Sequence, residues 1–321
     1  MNFNFAIFVS MNDFKDRYDL LAVTGHTAGG KTEFAVGLAA VLDGEILSAD
    51  SRQVYRGMDL GTGKDLKAYR TGNRIIPYHL IDLVEPGYKY SLFEYQKDAL
   101  DAYLQIRKRN HLPVLCGGSG LYLESVLRGY QLVEVPPDPE FREQLKGEDH
   151  ESLIRLLKRY GPLHNTTDTS SRKRLIRAIE IARFTNEHKK PQPPFPKLKS
   201  FIIGIRYERE ERRKRITERL KKRLDEGMVD EVRELLKRIA PEDLVYYGLE
   251  YKYLTYYCLG KISYDEMFRQ LNIAIHQFAK RQMTWLRGME RRGFTIHWIR
   301  GESSRDEKIH TALEMLRTSE E

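Results

Sequence analysis

An α/β fold is what this sequence predicts: a parallel sheet flanked by helices, with a small helical domain inserted in the chain. Three observations predict it. The apolar run "LLAVT" (20–24) enters the glycine-rich "GHTAGGKT" (25–32), and apolar residues at helical spacing follow at Phe34, Leu38, Val41 and Leu42. Short apolar runs then alternate with a helical stretch, as parallel strands joined by helices require. After Leu127 that alternation stops, and only charged, helix-patterned sequence continues until a proline-rich basic stretch, "KKPQPPFPKLKS" (189–200).

Each element can be justified in order. Residues 1–18 contain a short apolar run but no basic n-region and no small-residue cleavage site, so they read as a leader, disordered or loosely packed. "LLAVT" is the first strand, and residues 31–42 are the first helix. "EILSAD" (45–50) is a second buried strand. Residues 91–110 form a helix with a Ser start and apolar or aromatic residues at Leu92, Tyr95, Ala99 and Tyr103; "LPVLCGG" (112–118) returns to strand character. The break "VPPDPEF" opens the insertion, 130–198, in which residues 139–188 offer no strand. "SFIIGIRY" (200–207) resumes the sheet, residues 208–289 are mostly helical, and "TIHWIR" supplies a last strand. The catalytic core is thus 19–129 with 199–300, and 301–321 is a C-terminal tail or helix.

Composition bounds the chemistry. With 321 residues, 41% of them hydrophobic, the chain can bury a substantial core in one or two domains. Its 54 Lys and Arg exceed its 46 Asp and Glu, a formal charge of +8 and the sign expected for a phosphate-rich partner. The two cysteines, Cys116 and Cys258, belong to no close pair or zinc-spaced cluster, which points to a reduced, cytoplasmic protein without structural metal. No stretch reaches membrane-spanning length.

"GHTAGGKT" fits G-x-x-x-x-G-K-[ST], a loop whose backbone N–H groups and lysine wrap linked phosphates while the threonine hydroxyl faces Mg²⁺. Between a strand and a helix, it defines a P-loop NTPase-like sheet. It fixes the group bound and leaves the reaction open. No Asn-Lys-x-Asp of GTPase type is present. "SADSRQVYRGMDLGTGKDL" (48–66) lies where the second strand ends, so Asp50 should face the crevice holding the phosphate loop. There it could transfer a proton, or simply close a turn. Arg52, Gln53 and Tyr55 beside it are side chains that hydrogen-bond to or stack on a base.

Six motifs now stand in one order: "GHTAGGKT", "DSRQVYRGMDLGT", "YHLID", "GGSGLY", "RKRLIRAIE" and "AKRQMTWLR". The chain resembles the tRNA dimethylallyltransferase (tRNA isopentenyltransferase) family across most of residues 20–290. The resemblance implies transfer of a dimethylallyl group from dimethylallyl diphosphate to the exocyclic amine of the adenosine 3′-adjacent to a tRNA anticodon, releasing pyrophosphate. Alternatives are a P-loop kinase of a small metabolite, an adenylate isopentenyltransferase acting on free nucleotide, and a non-catalytic RNA-binding module.

What the resemblance implies for single residues is specific. Gly25, His26, Thr27, Ala28, Gly29, Gly30, Lys31 and Thr32 would hold the diphosphate with Arg209, and Thr32 would hold Mg²⁺. Asp50 would be the base, and Asp50, Ser51, Arg52 and Gln53 would meet the extruded adenine. Ser119 would be a further RNA contact or a helix N-cap, and Arg142 an RNA contact or an ordinary exposed arginine. Lys173, Arg174, Arg177, Lys280, Arg281 and Arg287 would bind the RNA backbone; a solvated charged face is the plain alternative. The active form is expected to be a monomer. The chain departs from the family pattern at His26 (commonly Pro), at Gly29 (commonly Ser), in "GTGKDL" (commonly Gly-Thr-Ala-Lys-Pro) and in "YGLEYKYL" (247–254), where Lys252 stands for a frequent Arg.

Overall fold

The computed structural model of the chain describes residues 14, 17–161, 169–188 and 195–319. These fall into two compact units, one up to Gly129 and from Lys197 onward, the other Tyr130–Pro196.

The larger unit is built on six parallel strands in the order β5-β2-β6-β1-β7-β8. They are β1 (Leu20–Gly25), β2 (Gly44–Ala49), β5 (Tyr78–His79), β6 (Leu112–Gly117), β7 (Ser200–Arg206) and β8 (Ile296–Arg300); a separate antiparallel pair joins β3 (Arg70–Thr71) to β4 (Arg74–Ile75). Every residue of β1, β2 and β6 is buried. Helices covering both faces explain this, and explain why these strands read as continuous apolar runs rather than alternating ones. β1 is central, pairing with β6 on one side (Val23 opposite Cys116) and β7 on the other (Val23 opposite Ile203). Loops leaving the carboxyl ends of β1, β2 and β6 therefore emerge side by side.

The helices of this unit are α1 (Lys31–Val41), α2 (Leu92–Lys108), α3 (Gly120–Leu127), α7 (Arg209–Asp225), α8 (Met228–Leu236), α9 (Pro241–Tyr246), α10 (Leu249–Cys258), α11 (Tyr264–Arg291) and α12 (Arg305–Thr318). α2 starts in a capping box: Ser91 Oγ accepts from Glu94 N at 3.2 Å while Glu94 accepts from Ser91 N at 2.8 Å. α12 repeats the device with Ser304 and Glu307. α12 buries Ile309, Ala312, Leu313 and Leu316 in the core beside α1, so this stretch is a structural helix and not a tail. A Cβ at Gly37 would stand 2.6 Å from Ile309 Cδ1, which is why α1 carries a glycine there.

Two local expectations need correction. The end of the expected leader is packed: Phe14 is 1% exposed within the core, and its ring stacks on Tyr18 at 5.2 Å. Large aromatics are driven under the sheet by the area they remove from water. Residues 1–13, 15 and 16 of that leader lie outside the described residues. The strands β3, β4 and β5 were not anticipated, since two-residue strands carry no readable period.

The smaller unit contains α4 (Pro139–Gln144), α5 (His150–Tyr160) and α6 (Arg172–Glu187), with no strand among its described residues. Phe141, Leu145, Leu153, Leu157, Leu175 and Ile179 form its core. The α5 cap is Asp149, accepting from Ser152 N at 2.7 Å. Among the described residues of the whole chain no helix is long and apolar enough to cross a membrane.

Candidate active site

The phosphate loop turns at Gly25, Ala28 and Gly30, with φ of 147°, 59° and 71°. Gly25 is required, since a Cβ there would lie 2.5 Å from Ile205 O. Three successive loop carbonyls are held by side chains, two from the loop itself and one from α7: Lys31 Nζ donates to His26 O at 2.8 Å, the His26 ring to Thr27 O at 2.6 Å, and Arg215 Nε to Ala28 O at 3.2 Å. With its carbonyls turned to these donors, the loop leaves later N–H groups for an anion.

Charge in the loop is arranged for a ligand. Burial pushes the Lys31 ammonium down to about 8; Cys116 and Asp50 oppose the shift and Arg219 adds to it. The negative charge of a bound diphosphate would offset that desolvation. His26 is fully buried, and burial pushes its imidazole down to about 4, with nearby Lys31, Arg212 and Arg215 contributing in the same direction. It is neutral at pH 7, so Nδ1–H donates to Thr27 O, and Nε2 is buried without a partner. Burial likewise pushes the Cys116 thiol up to about 12, which rules it out as a nucleophile.

Asp50 follows β2 as expected, in the crevice of the phosphate loop. One oxygen, Oδ1, accepts from Arg52 N at 2.9 Å and closes a turn; Oδ2 makes no hydrogen bond among the described residues. The turn-closing reading is thus seen directly, for Oδ1. Ser119 occupies the N-cap position of α3, yet its hydroxyl does not cap the helix. Its Oγ accepts from Ser51 N at 3.1 Å, which ties the β6–α3 loop to the β2 loop. Gln53 is held by Ser48 Oγ at 3.1 Å, and Arg52 lies over the Tyr246 ring at 5.3 Å. Tyr55 is no base platform: it is 1% exposed and packs edge-on against Tyr247.

The loop after Asp50 is wired from three helices. Buried Lys64 bonds to Tyr55 O, Asp59 and Asp82, which fastens "GTGKDL" to "YHLID". Glu231 of α8 accepts three successive N–H groups, of Asp59, Leu60 and Gly61, at 2.9, 2.6 and 2.9 Å, and also the Tyr251 hydroxyl at 2.7 Å. Arg219 Nη2 donates to Gly63 O at 3.3 Å; burial first, then neighbouring Arg223, push its guanidinium down to about 10. In the divergent segment, Glu250 pairs with Arg223 at 3.3 Å.

Arg209 is exposed at the start of α7, 4.0 Å from Glu210, while Arg215 of the same helix donates to the phosphate loop. α7 buries Ile216, Leu220 and Leu224, so arginines flanking that stripe, Arg215 and Arg219, are carried to the crevice. The spacing of this stripe from Arg215 was the available signal. Gln282 of α11 was missed for lack of any signal: its Oε1 accepts from Thr27 N at 2.7 Å and its Nε2 donates to Gly118 O at 2.9 Å.

Lys280, Arg281 and Arg287 are exposed on α11. Trp285 between them packs on Gly120, where a Cβ would come within 2.3 Å of the indole. In the smaller unit, Lys173 and Arg174 are exposed, whereas Arg142 and Arg177 turn to the buried carboxylate of Glu180, Arg142 at 2.6 and 2.8 Å and Arg177 at 3.0 Å. Arg177 also donates to Val135 O at 2.6 Å. Burial alone would raise the Glu180 pKa; these hydrogen bonds outweigh it and hold the carboxylate below the usual range.

Among the described residues no three His, Cys, Asp or Glu gather around a metal position. Mg²⁺ suits such a site, since it takes few protein ligands and completes its shell with substrate phosphates and water.

Fold and site together define a P-loop α/β protein whose second strand delivers a carboxylate to the crevice beside the phosphate loop. The family model described as IPP transferase matches residues 53–289. The "tRNA dimethylallyltransferase 2" of Bacteroides fragilis is 59% identical, over 94% of this chain and 98% of its own length. That of Phocaeicola vulgatus is 57% identical, over 94% and 99%. The crystal structure of the tRNA isopentenylpyrophosphate transferase from Bacillus halodurans superposes with a TM-score of 0.67 at 30% identity, covering 93% of this chain and 95% of that one. The chain belongs to the IPP transferase family.

Proposed function

We propose that the protein transfers the dimethylallyl group of dimethylallyl diphosphate to the exocyclic amine of the adenosine 3′-adjacent to the anticodon of tRNA, releasing pyrophosphate. It is a prenyl transferase, and tRNA is its acceptor. The observation that carries this reading is one crevice in which the phosphate loop, the free oxygen of Asp50 and the Ser119–Ser51 bridge meet.

The adenine amine is a poor nucleophile because its lone pair is delocalised. As it attacks the allylic carbon, the bond from that carbon to the diphosphate oxygen breaks and the electron pair leaves with pyrophosphate. Lys31, Arg215 and the loop N–H groups meet that charge, in a site organised before the substrate arrives. Asp50 Oδ2 accepts the amine proton. The Thr32 hydroxyl would hold Mg²⁺, which supplies further neutralisation of the leaving group. The adenine must leave its stack to reach Asp50, and single-stranded anticodon loops allow this at the smallest cost. Lys173, Arg174, Lys280, Arg281 and Arg287 are exposed cations available for the RNA backbone.

Incubation with labelled dimethylallyl diphosphate, Mg²⁺ and unmodified tRNA tests the reading. Label should map to the adenosine beside the anticodon. Label on free nucleotide only, or none on RNA, would refute it.

A further inference from the structure

We propose that Gln282 is a positioning residue that sets the distance between the bound diphosphate and the acceptor base. The inference rests on the transfer reaction above.

Gln282 is 9% exposed on the inner side of α11, directly after the exposed Lys280 and Arg281. Its amide bridges the loops that follow the paired strands β1 and β6. Oε1 takes the N–H of Thr27 in the phosphate loop, and Nε2 gives to the carbonyl of Gly118 in the β6–α3 loop. From Gly118 the path continues without a gap. Ser119 N donates to Ala49 O at 3.2 Å, and Ser119 Oγ accepts from Ser51 N at 3.1 Å, so the residues on both sides of Asp50 are fixed to the same loop. Gln282 and Ser119 together thereby link the diphosphate site to the two neighbours of the proton acceptor.

The space is built for this bridge. A Cβ on Gly118 would lie 2.5 Å from Gln282 Nε2 and 3.4 Å from Lys31 Nζ, so the glycine makes room for the amide next to the lysine. Only an amide end supplies both a donor and an acceptor at that reach. Glutamate would keep the bond to Thr27 and lose the one to Gly118; methionine, of similar length, would lose both.

Reaction between two bound partners depends steeply on their separation, and a displacement of about 1 Å can cost roughly 10²-fold in rate. Transfer to tRNA is therefore measured for the wild type, Gln282→Met and Gln282→Glu, with thermal unfolding and tRNA Kd alongside. We expect Gln282→Met to lower kcat about 10- to 100-fold, with the KM for dimethylallyl diphosphate and the tRNA Kd little changed. An unchanged kcat overturns the proposal. So does a loss of tRNA affinity that parallels kcat, which would assign Gln282 to gripping RNA, or a rise in KM alone, which would assign it to holding diphosphate. Should Gln282→Met fail to fold, Gln282→Glu decides by the same readouts. Absence of transfer by the wild type would refute the reaction itself, a result separate from either variant's.

Discussion

On the proposed reaction Asp50 divides its two oxygens between a turn and proton transfer, and the division makes its contribution measurable. Asp50→Asn keeps an oxygen for the Arg52 N–H and removes the base; Asp50→Ala removes both. Turnover of Asp50→Ala should fall by about 10²–10⁴-fold, the usual contribution of a positioned base. Its tRNA affinity should stay nearly intact, as fluorescence titration with unmodified tRNA would report. His26 yields a second expectation. Its unfolded imidazole titrates near 6.5 and its folded one near 4, so the unfolded state binds more protons between those values. Stability present above pH 6.5 is then lost as pH falls toward 4, on the order of 3 kcal/mol from this residue. Urea unfolding of His26→Gln should show a shallower acid loss than the wild type, and an identical profile would exclude His26 as the source.

Elements show where sequence patterns were readable and where they stopped. The Ser91 start of α2 and the three long strand runs could be read directly, because caps and buried parallel strands leave signals within a few residues. The roles of Arg142 and Arg177 could not. Both sit on helices of the smaller unit and both are bound to Glu180, whose burial nothing in "RKRLIRAIE" marks. Glu180→Ala would leave the two guanidinium groups without their shared acceptor and free the Asp138 N–H, 3.1 Å from Glu180 Oε1. Because the arginines are partly solvated, the loss should be about 2 kcal/mol, below the range for a fully buried pair. Hydrogen exchange of α4 and α6 is the measurement, since opening there need not report in global melting.

At the scale of the whole molecule, a formal charge of +8 acquires meaning through its distribution. Exposed Lys280 and Arg287 are free to release counterions from RNA, whereas Arg142 is already committed to Glu180. tRNA affinity should fall steeply with added salt. Lys280→Ala or Arg287→Ala should each reduce the slope of log K against log salt by about 0.7–0.9, and Arg142→Ala by less. Equal slopes for all three would place the RNA backbone elsewhere.

Short-range chemistry determined the phosphate loop, the strand that delivers Asp50 and the interruption of the α/β pattern near Leu127. Each is encoded by neighbours within a few residues, through glycine dihedrals, apolar runs or proline breaks. Tertiary packing alone decided that Arg215 rather than Arg209 reaches the loop, that Ser119 serves Ser51 instead of its own helix, and that Gln282 joins Thr27 to Gly118. The reason is rotational. The buried stripe Ile216, Leu220 and Leu224 turns α7, and the buried Met283 and Leu286 turn α11, so the polar residues flanking those stripes are aimed by contacts far away in sequence.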